Sequence, residues 1–470
     1  MHIARKLTTL FPLLAILAGV CLCGCAASKP QDVVVMISID GLAGHYLDDP
    51  KAEMPTIRAL AAAGARADSM RASNPTVTWP NHTTLVTGVV PARHGVVGNN
   101  YFDRATGKTV TLISDPTYDK AQIVLAPTIY DLAHAAGMKT AAIRWPATRN
   151  APTLDWTIPA VSEVDLLHRY TTPALMDEAR RAGIWTDGEL TEPGKNDKRI
   201  IPDKNCTDIF NFILRKHRPS LALLHVINVD HDQHLYGPNT PQAYAAIKGA
   251  DEQVRRVWDE VQRDFPGHAT LIVTSDHGFS RIDKLILPNV ILRDAKLLTV
   301  KGTRVVGGPL RVVVQGGAAM VYILDPARRD ELMGRVKKAF TGVEGVQQVV
   351  SSDQFGELGV ADPRIDPHAP DLFIFANEGY AFGDTAAGKL TFHEKPERKG
   401  THGHDSGLPD LHATFVAWGR GIKPGTRLGE IRNVDVAPTI ARLLDLQIPN
   451  PNGAPLTDAL IEAPAVRMVQ

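Results

Sequence analysis

LALLHVINVDHDQHLYGPNTPQAYAAIKGADEQVRRVWDEVQRDFPGHATLIVTSDHG, residues 221 to 278, changes its hydrophobic pattern twice. The runs LALLHVINV and ATLIVTS are short and apolar, while YAAIKGADEQVRRVWDEVQRDF between them spaces its apolar residues as one face of a helix. Strand, helix and strand in that order are the unit of a parallel sheet, because parallel neighbours need a crossover and a helix supplies it. The same alternation begins with DVVVMIS at Asp32 and MPTIRALAAAG at Met54, and returns in KTAAIR and TDIFNFILRKH. Near-continuous apolar strands between helices predict an α/β fold, a mostly parallel sheet flanked by helices on both faces.

Downstream the pattern changes. Residues 279–400 carry Gly-interrupted runs such as RVVGGPLRVVVQGGAAMVYIL, one helix in PARRDELMGRVKKAF, and further apolar runs at VQQVVSS and DLFIFANEGYAF. They read as an inserted α+β cap region, after which ATFVAWG and VDVAPTIARLLDLQ resume the main pattern. The expected division is a core first part over 32–278, the cap over 279–400 and a core second part over 401–464.

The chain has 470 residues, 44% hydrophobic and 22% charged, with a formal net charge of zero. That balance gives no bulk electrostatic case for nucleic acid or for a membrane surface, so any anion handling is local. Residues 1–25 read as an export signal: basic MHIARK, an apolar run too short to favour a permanent span, then LCGCAAS. Leu22, Gly24 and Cys25 resemble a bacterial lipobox with Cys25 as the lipidated residue, although Cys23 departs from it; the alternative is plain cleavage near Ala26. The expected address is the bacterial periplasm, with a lipid anchor to the outer membrane as the one membrane contact. Beyond that signal only Cys206 remains, so no disulfide forms within the folded residues, and Cys206 reads as a buried helix residue.

Three apolar strands end on acids: VVVMISID at Asp40, LALLHVINVD at Asp230 and ATLIVTSDHG at Asp276, followed by His277. In an open parallel sheet ligands gather beyond the carboxyl ends of strands. Carboxylates brought together there repel one another unless a cation sits among them. His234 lies four residues after Asp230, on the same face if the segment is helical, and GTHGHD adds His402 and His404 in a glycine-rich loop. A lone acid at a strand end is more often a cap or turn residue. Concurrence of Asp40, Asp230, His234, Asp276, His277 and His402 outweighs that reading, and mixed Asp/His ligation suits zinc better than calcium or magnesium.

SIDG, PTVTWPNHTTLVTGVVPARHGVVGN, DHDQHLYGP, SDHG and GTHGHD occur in this order and resemble the type I phosphodiesterase/nucleotide pyrophosphatase family of the alkaline phosphatase superfamily. The resemblance implies an alkaline-phosphatase-like fold and two zinc ions bridged by a substrate phosphate. It implies Thr78 as the covalent nucleophile, Asp40, Asp276 and His277 around one ion beside Thr78, and Asp230, His234 and His402 around the other. Asn99 matches the residue that hydrogen-bonds a phosphate oxygen.

Metal coordination would activate the threonine hydroxyl, Pro75 and Pro80 would restrict the backbone around it, and a helix beginning near Asn81 would aim free N–H groups at the phosphate. Trp79 would stack on a nucleobase or pack under the cap. His231, Asp232 and His404 are alternates for the ligands, while His82, His94, His225 and His412 read as structural or supporting. Two departures stand out: Gln233 where the family often has glycine, and RWPATRN where it has a glycine after Trp-Pro.

The implied reaction is hydrolysis of phosphodiester or nucleotide pyrophosphate bonds through a phosphothreonine, on a small phosphorylated substrate such as a nucleotide. The alternatives are a threonine-dependent phosphomonoesterase or phosphonate hydrolase with the same ligands, and an inactive ligand-binding lipoprotein. Monoesterases resembling this chain carry a Lys-x-Arg pair after the nucleophile, which RWPATRN and APTLDWTIPAVSEVD lack, so a diester preference is expected; Arg144 and Arg149 are the residues able to reverse it.

Overall fold

The computed structural model describes residues 32–113, 118–161, 163–185, 202–389, 391–394 and 396–461. The expected signal with Cys25 lies outside them, as do residues 462–464. No helix among the described residues is long and apolar enough to cross a membrane.

The main sheet has eight strands: β1 (Val33–Ile39), β2 (Ala65–Arg71), β3 (Thr140–Ile143), β4 (Trp156–Ile158), β5 (Leu221–Val226), β6 (Ala269–Thr274), β7 (Phe415–Gly419) and β8 (Thr426–Arg432). Their order across the sheet is β8-β2-β7-β6-β1-β5-β3-β4. β7 runs antiparallel to β6 and β2; all other pairings are parallel.

Every residue of β1, β5 and β6 is buried, as apolar runs covered on both faces require. Alternate residues of β1 serve opposite faces. Val33, Val35, Ile37 and Ile39 meet the helices Pro55–Ala63, Asp203–His217 and Pro241–Asp264. Val34 and Met36 meet Ile129 and Tyr130 of one helix and Ile440 of another, Val436–Leu443. The crossover Pro241–Asp264 opens with Thr240 capping Ala243 N–H and buries Ile247, Ala250, Val254, Val257 and Val261 at helical spacing. Cys206 is fully buried on Asp203–His217, as expected.

Strands from residues 280–401 lie outside the main sheet. Leu310–Val314, Ala318–Ile323, Leu372–Ala376 and Val346–Ser351 form an antiparallel sheet in that order. Ser280–Ile286 pairs with Gly379–Phe382, with Phe392–Glu394 and, at its start, with Gly400–Thr401. The apolar cluster beneath the antiparallel sheet also takes in Val96, Val97, Tyr101, Phe102 and Leu112, so a segment before residue 279 packs with this second layer. Its hairpin, Asn100–Asp103 with Lys108–Thr111, gives no break in hydrophobic pattern that would have marked it.

Candidate active site

β1 lies between β5 and β6, so three neighbouring strands end side by side. Asp40 follows β1 directly, and Asp276 and His277 follow β6 after Ser275. β5 runs through Ile227 into the helix Asn228–Tyr236, which carries Asp230 and His234 one turn apart, Oδ1 to Nε2 at 3.4 Å. Asp203 holds that helix start, accepting from Ile227 N–H at 3.2 Å and Asn228 N–H at 3.0 Å while paired with Arg144 at 3.1 Å. His402 follows the short strand Gly400–Thr401.

These segments converge. His277 Nε2 stands 3.1 Å from Asp276 Oδ2 and 3.4 Å from Asp40 Oδ1, and His402 Nε2 is 3.4 Å from Asp230 Oδ1. The His277 and His402 rings stack at 3.7 Å. Asp40, Asp276 and His277 form one group whose donor atoms lie within 4.8 Å of one another; Asp230, His277 and His402 form another on the same measure. His277 is therefore shared between them, and His234 joins the second through Asp230. The six Asp and His ligands expected from the sequence are brought together; Thr78, expected as a ligand as well, is represented here by its main chain near His82.

The donor set fits divalent cations. Each of the three histidines points Nδ1 at a main-chain carbonyl: His234 at Gly400 O (3.0 Å), His402 at Thr76 O (3.0 Å) and His277 at Gly278 O (3.0 Å). A carbonyl only accepts, so Nδ1 carries a proton; Nε2 offers a lone pair on His234 and His402. On His277 burial opposes the charge but the adjoining Asp276 carboxylate raises the pKa, so a cation there would displace a proton. Burial takes His234 down to about 3, with the Arg398 charge adding to it, and pulls His402 well below the usual range, so neither is protonated at neutral pH. Their lone pairs face carboxylate oxygens, acceptor against acceptor. Asp40 Oδ1, Asp230 Oδ1, Asp276 Oδ2 and His277 Nε2 are buried without a hydrogen-bond partner. Burial, then the neighbouring Asp276 and Asp230, push Asp40 well above the carboxylate range. Burial acts against Asp276 too, but His277 and His82 hold it well below. Cations between the oxygens and lone pairs would satisfy all of these atoms together.

Other side chains fix the carboxylates. His225 bridges Asp40 Oδ2 (3.1 Å) and Arg144 O (3.1 Å), and Gly41 N–H donates to Asp276 Oδ1 at 3.2 Å. His82 contacts Thr78 O at 2.9 Å and Asp276 Oδ2 at 3.4 Å, its ring edge-on to Trp145. Both contacts fall on Nδ1, so the Thr78 carbonyl and Asp276 share one ring nitrogen. Gln233 replaces the family's glycine with a tie: its Nε2 donates to Gly41 O at 2.8 Å and its Oε1 accepts from Tyr46 O–H at 3.0 Å. Among the alternates, His231 pairs with Asp232 at 2.9 Å, and His404 turns to Tyr380 O at 2.8 Å.

One expectation about the opening turn needs correction. The helix starts at Thr78, not near Asn81, and its first turn has few N–H groups to offer an anion. Trp79 N–H is held by Asn99 Oδ1 at 2.9 Å, Pro80 has none, and Asn81 N–H reaches Val77 O at 3.3 Å. Proline is tolerated in a first turn, where its missing donor costs nothing, so Pro80 did not delay the helix. Of the two readings of Trp79, its surroundings match the packed one. The residue is 2% exposed, in one apolar cluster with Val96, Val97, Val313 and Phe373.

Thr78 and Asn99 are both buried in this region, and Asn99 N–H donates to Gln315 Oε1 at 3.0 Å. Sequence reasoning noted Gln233 only as a departure and missed Gln315 and Arg398, an exposed residue whose charge acts on both Asp230 and His234. A lone glutamine or arginine in an irregular stretch leaves no periodic signal. Arg144 and Arg149 are engaged elsewhere, Arg149 with Asp119 at 2.7 Å and over the Tyr170 ring.

A model described as type I phosphodiesterase / nucleotide pyrophosphatase matches residues 34–405 of this chain. An uncharacterized pyrophosphatase/phosphodiesterase of Schizosaccharomyces pombe is 25% identical over 446 residues, covering 90% of this chain and 79% of that protein. Venom phosphodiesterase 2 of Crotalus adamanteus is 28% identical over 262 residues, 55% of this chain but only 28% of the venom protein. Among solved structures, murine ectonucleotide pyrophosphatase/phosphodiesterase 5 matches with a TM-score of 0.69 at 20% identity, covering 92% of this chain and 100% of that one. The same murine protein has been solved as an inactive threonine-to-alanine variant in complex with AMP. This likeness shows the fold, the alkaline-phosphatase-like α/β arrangement expected from the sequence.

Proposed function

We infer the activity from one premise: this chain belongs to the type I phosphodiesterase/nucleotide pyrophosphatase family. It is a metal-binding phosphoric ester hydrolase, and its family hydrolyses phosphodiester or pyrophosphate bonds. The finer reading is ours: a covalent phosphothreonine on Thr78, a two-zinc site and a nucleotide as substrate. The observation that supports it is His82, whose Nδ1 lies 2.9 Å from the Thr78 carbonyl oxygen and 3.4 Å from Asp276 Oδ2, so the residue read as nucleophile neighbours the ligand cluster.

In this reading Asp40, Asp276 and His277 hold one ion and Asp230, His234 and His402 the other. When bound, the ions would lower the pKa of the threonine hydroxyl and offset charge on the transferring phosphoryl group. Thr78 Oγ attacks phosphorus in line, an O–P bond forms, and the ester or anhydride bond to the leaving group breaks; the hydroxyl proton is released and the leaving oxygen departs as an anion or takes a proton from water. Water then cleaves the phosphothreonine, freeing the phosphoryl product and restoring the hydroxyl. Asn99 has its Oδ1 committed to Trp79 N–H, which leaves its Nδ2 to donate to a phosphate oxygen. The AMP held by the murine relative supports a small nucleotide as the ligand.

The test compares metal-loaded and chelated protein on bis-p-nitrophenyl phosphate, p-nitrophenyl thymidine monophosphate, p-nitrophenyl phosphate and a phosphonate ester. Metal-dependent turnover fastest on the diesters is expected. Turnover untouched by chelation would remove the two-metal reading, and a monoester or phosphonate preference would install one of the alternatives. We also propose that the protein sits in the bacterial periplasm, anchored to the outer membrane through Cys25. Fractionation of Cys25→Ala should then find it released from the membrane.

A further inference from the structure

Gln315 stands at the end of the cap strand Leu310–Val314 and is 4% exposed. Its amide is committed at both ends to one short stretch: Oε1 accepts from Asn99 N–H at 3.0 Å, and Nε2 donates to Asn100 O at 2.6 Å. A side chain that closes both bonds on consecutive residues fixes the position and the rotation of the backbone carrying Asn99. The Asn99 side chain in turn grips Trp79 N–H, the residue after Thr78.

The main chain of the same turn braces the other half of the site. Gly317 N–H donates to His402 O at 2.8 Å. A Cβ on Gly403 would stand 1.7 Å from Gln315 O, and one on Gly317 would stand 2.2 Å from the His404 ring, so this turn and the His402 loop meet backbone to backbone. Gly403 N–H reaches Thr76 Oγ1 at 3.0 Å, which ties in the stretch before Thr78.

We propose that Gln315 is a positioning residue for the reaction, through which the cap sets the Asn99 amide against the transferring phosphoryl group. The proposal rests on the reading of Asn99 as a phosphate contact. A residue that merely fills space would make the enzyme less stable without caring whether Asn99 is present. A positioning residue acts through Asn99, so the two substitutions must be non-additive.

A double-mutant cycle tests this with Gln315→Leu and Asn99→Ala, singly and together, on p-nitrophenyl thymidine monophosphate, with metal content and melting temperature recorded. Asn99→Ala alone is expected to slow turnover. Gln315→Leu should lower kcat/KM about tenfold when Asn99 is present, mainly through kcat, and less than about twofold in the Asn99→Ala background, with metal retained. Gln315→Glu, which keeps an acceptor for Asn99 N–H, should fall between; it replaces the leucine variant in the cycle if that one does not fold. Equal losses in both backgrounds, or no loss in either, would overturn the proposal while leaving Asn99 where it is. Full turnover in Asn99→Ala would instead overturn the reading beneath it.

Discussion

The two ligand groups share their chemistry and differ in how they are held. Asp276 and His277 are fully buried, Asp40 nearly so, and each carboxylate has its own brace: His225 on Asp40, Gly41 N–H and His82 on Asp276. Asp230 and His234 ride on a nine-residue helix, with side chains 19% and 14% exposed, and His402 comes from a loop that follows the cap. Among the described residues the Asp230 side chain is met by the histidines alone; its Oδ1 lacks a hydrogen-bond partner, and Arg398 lies in the open alongside. On the reading proposed above, rigidity concentrates beside Thr78, and access on the side where a leaving group would depart. A site that must fix an attacking oxygen and release a product gains from that asymmetry.

The largest effect belongs to the closed side. Thr78→Ala should lower diester turnover by about a thousandfold or more while keeping most of the metal, because the Asp and His ligands remain. Elemental analysis beside the rate checks both halves, and a near-wild-type rate would place the chemistry elsewhere. Next comes the contrast itself. Timed chelation should strip metal in two phases, the faster one accelerated by Asp230→Asn and the slower one by Asp276→Asn. A single phase for all the metal would erase the distinction between the groups. A smaller effect is expected from His225→Phe, which removes the brace on Asp40 without touching a proposed ligand. Supporting contacts of this kind are worth about ten- to a hundredfold in metal affinity. The loss should appear in the slow phase alone.

These differences also explain what the sequence disclosed. Asp40 and Asp276 were legible because each ends a continuous apolar strand, and adjacency of those strands followed from a parallel sheet. Asp230 and His234 were legible as a helical i, i+4 pair, and His402 through its glycine-rich loop. The braces were legible only in part: His82 and His225 read as structural or supporting, without their partners. His225 sits inside β5, where a histidine among apolar residues reads as packing, and Gln315 reaches Asn99 across 216 positions with no pattern to announce it. Trp79 stayed open for the opposite reason: a large aromatic beside Thr78 suits a base or a core equally, and only the structure shows it sharing an apolar cluster with Val313 and Phe373. The second layer's claim on residues 96–112 was hidden likewise, since side-chain burial under another sheet leaves the strand pattern unchanged.

The smallest effect concerns the arginines. A phosphomonoester carries one more negative charge than a diester, and stabilising it in the transition state calls for a further cation near the phosphate. Arg144 is held by Asp203 and serves the start of the Asp230 helix, while Arg149 is paired with Asp119 and covers Tyr170. Neither guanidinium is placed for that task, so Arg149→Ala should change the ratio of diester to monoester kcat/KM by less than about twofold, the scale of a rim ion pair. Arg398 differs because its charge reaches Asp230 and His234 from the exposed side. Arg398→Ala should shift the same ratio by about threefold at low salt, and the shift should shrink toward 1 M salt, where the screening length is only about 3 Å. A large monoester loss in Arg149→Ala would show that its pairing with Asp119 opens when substrate binds. A salt-independent loss in Arg398→Ala would mean that the residue supports the second ligand group through packing, and the open side would then be as tightly built as the closed one.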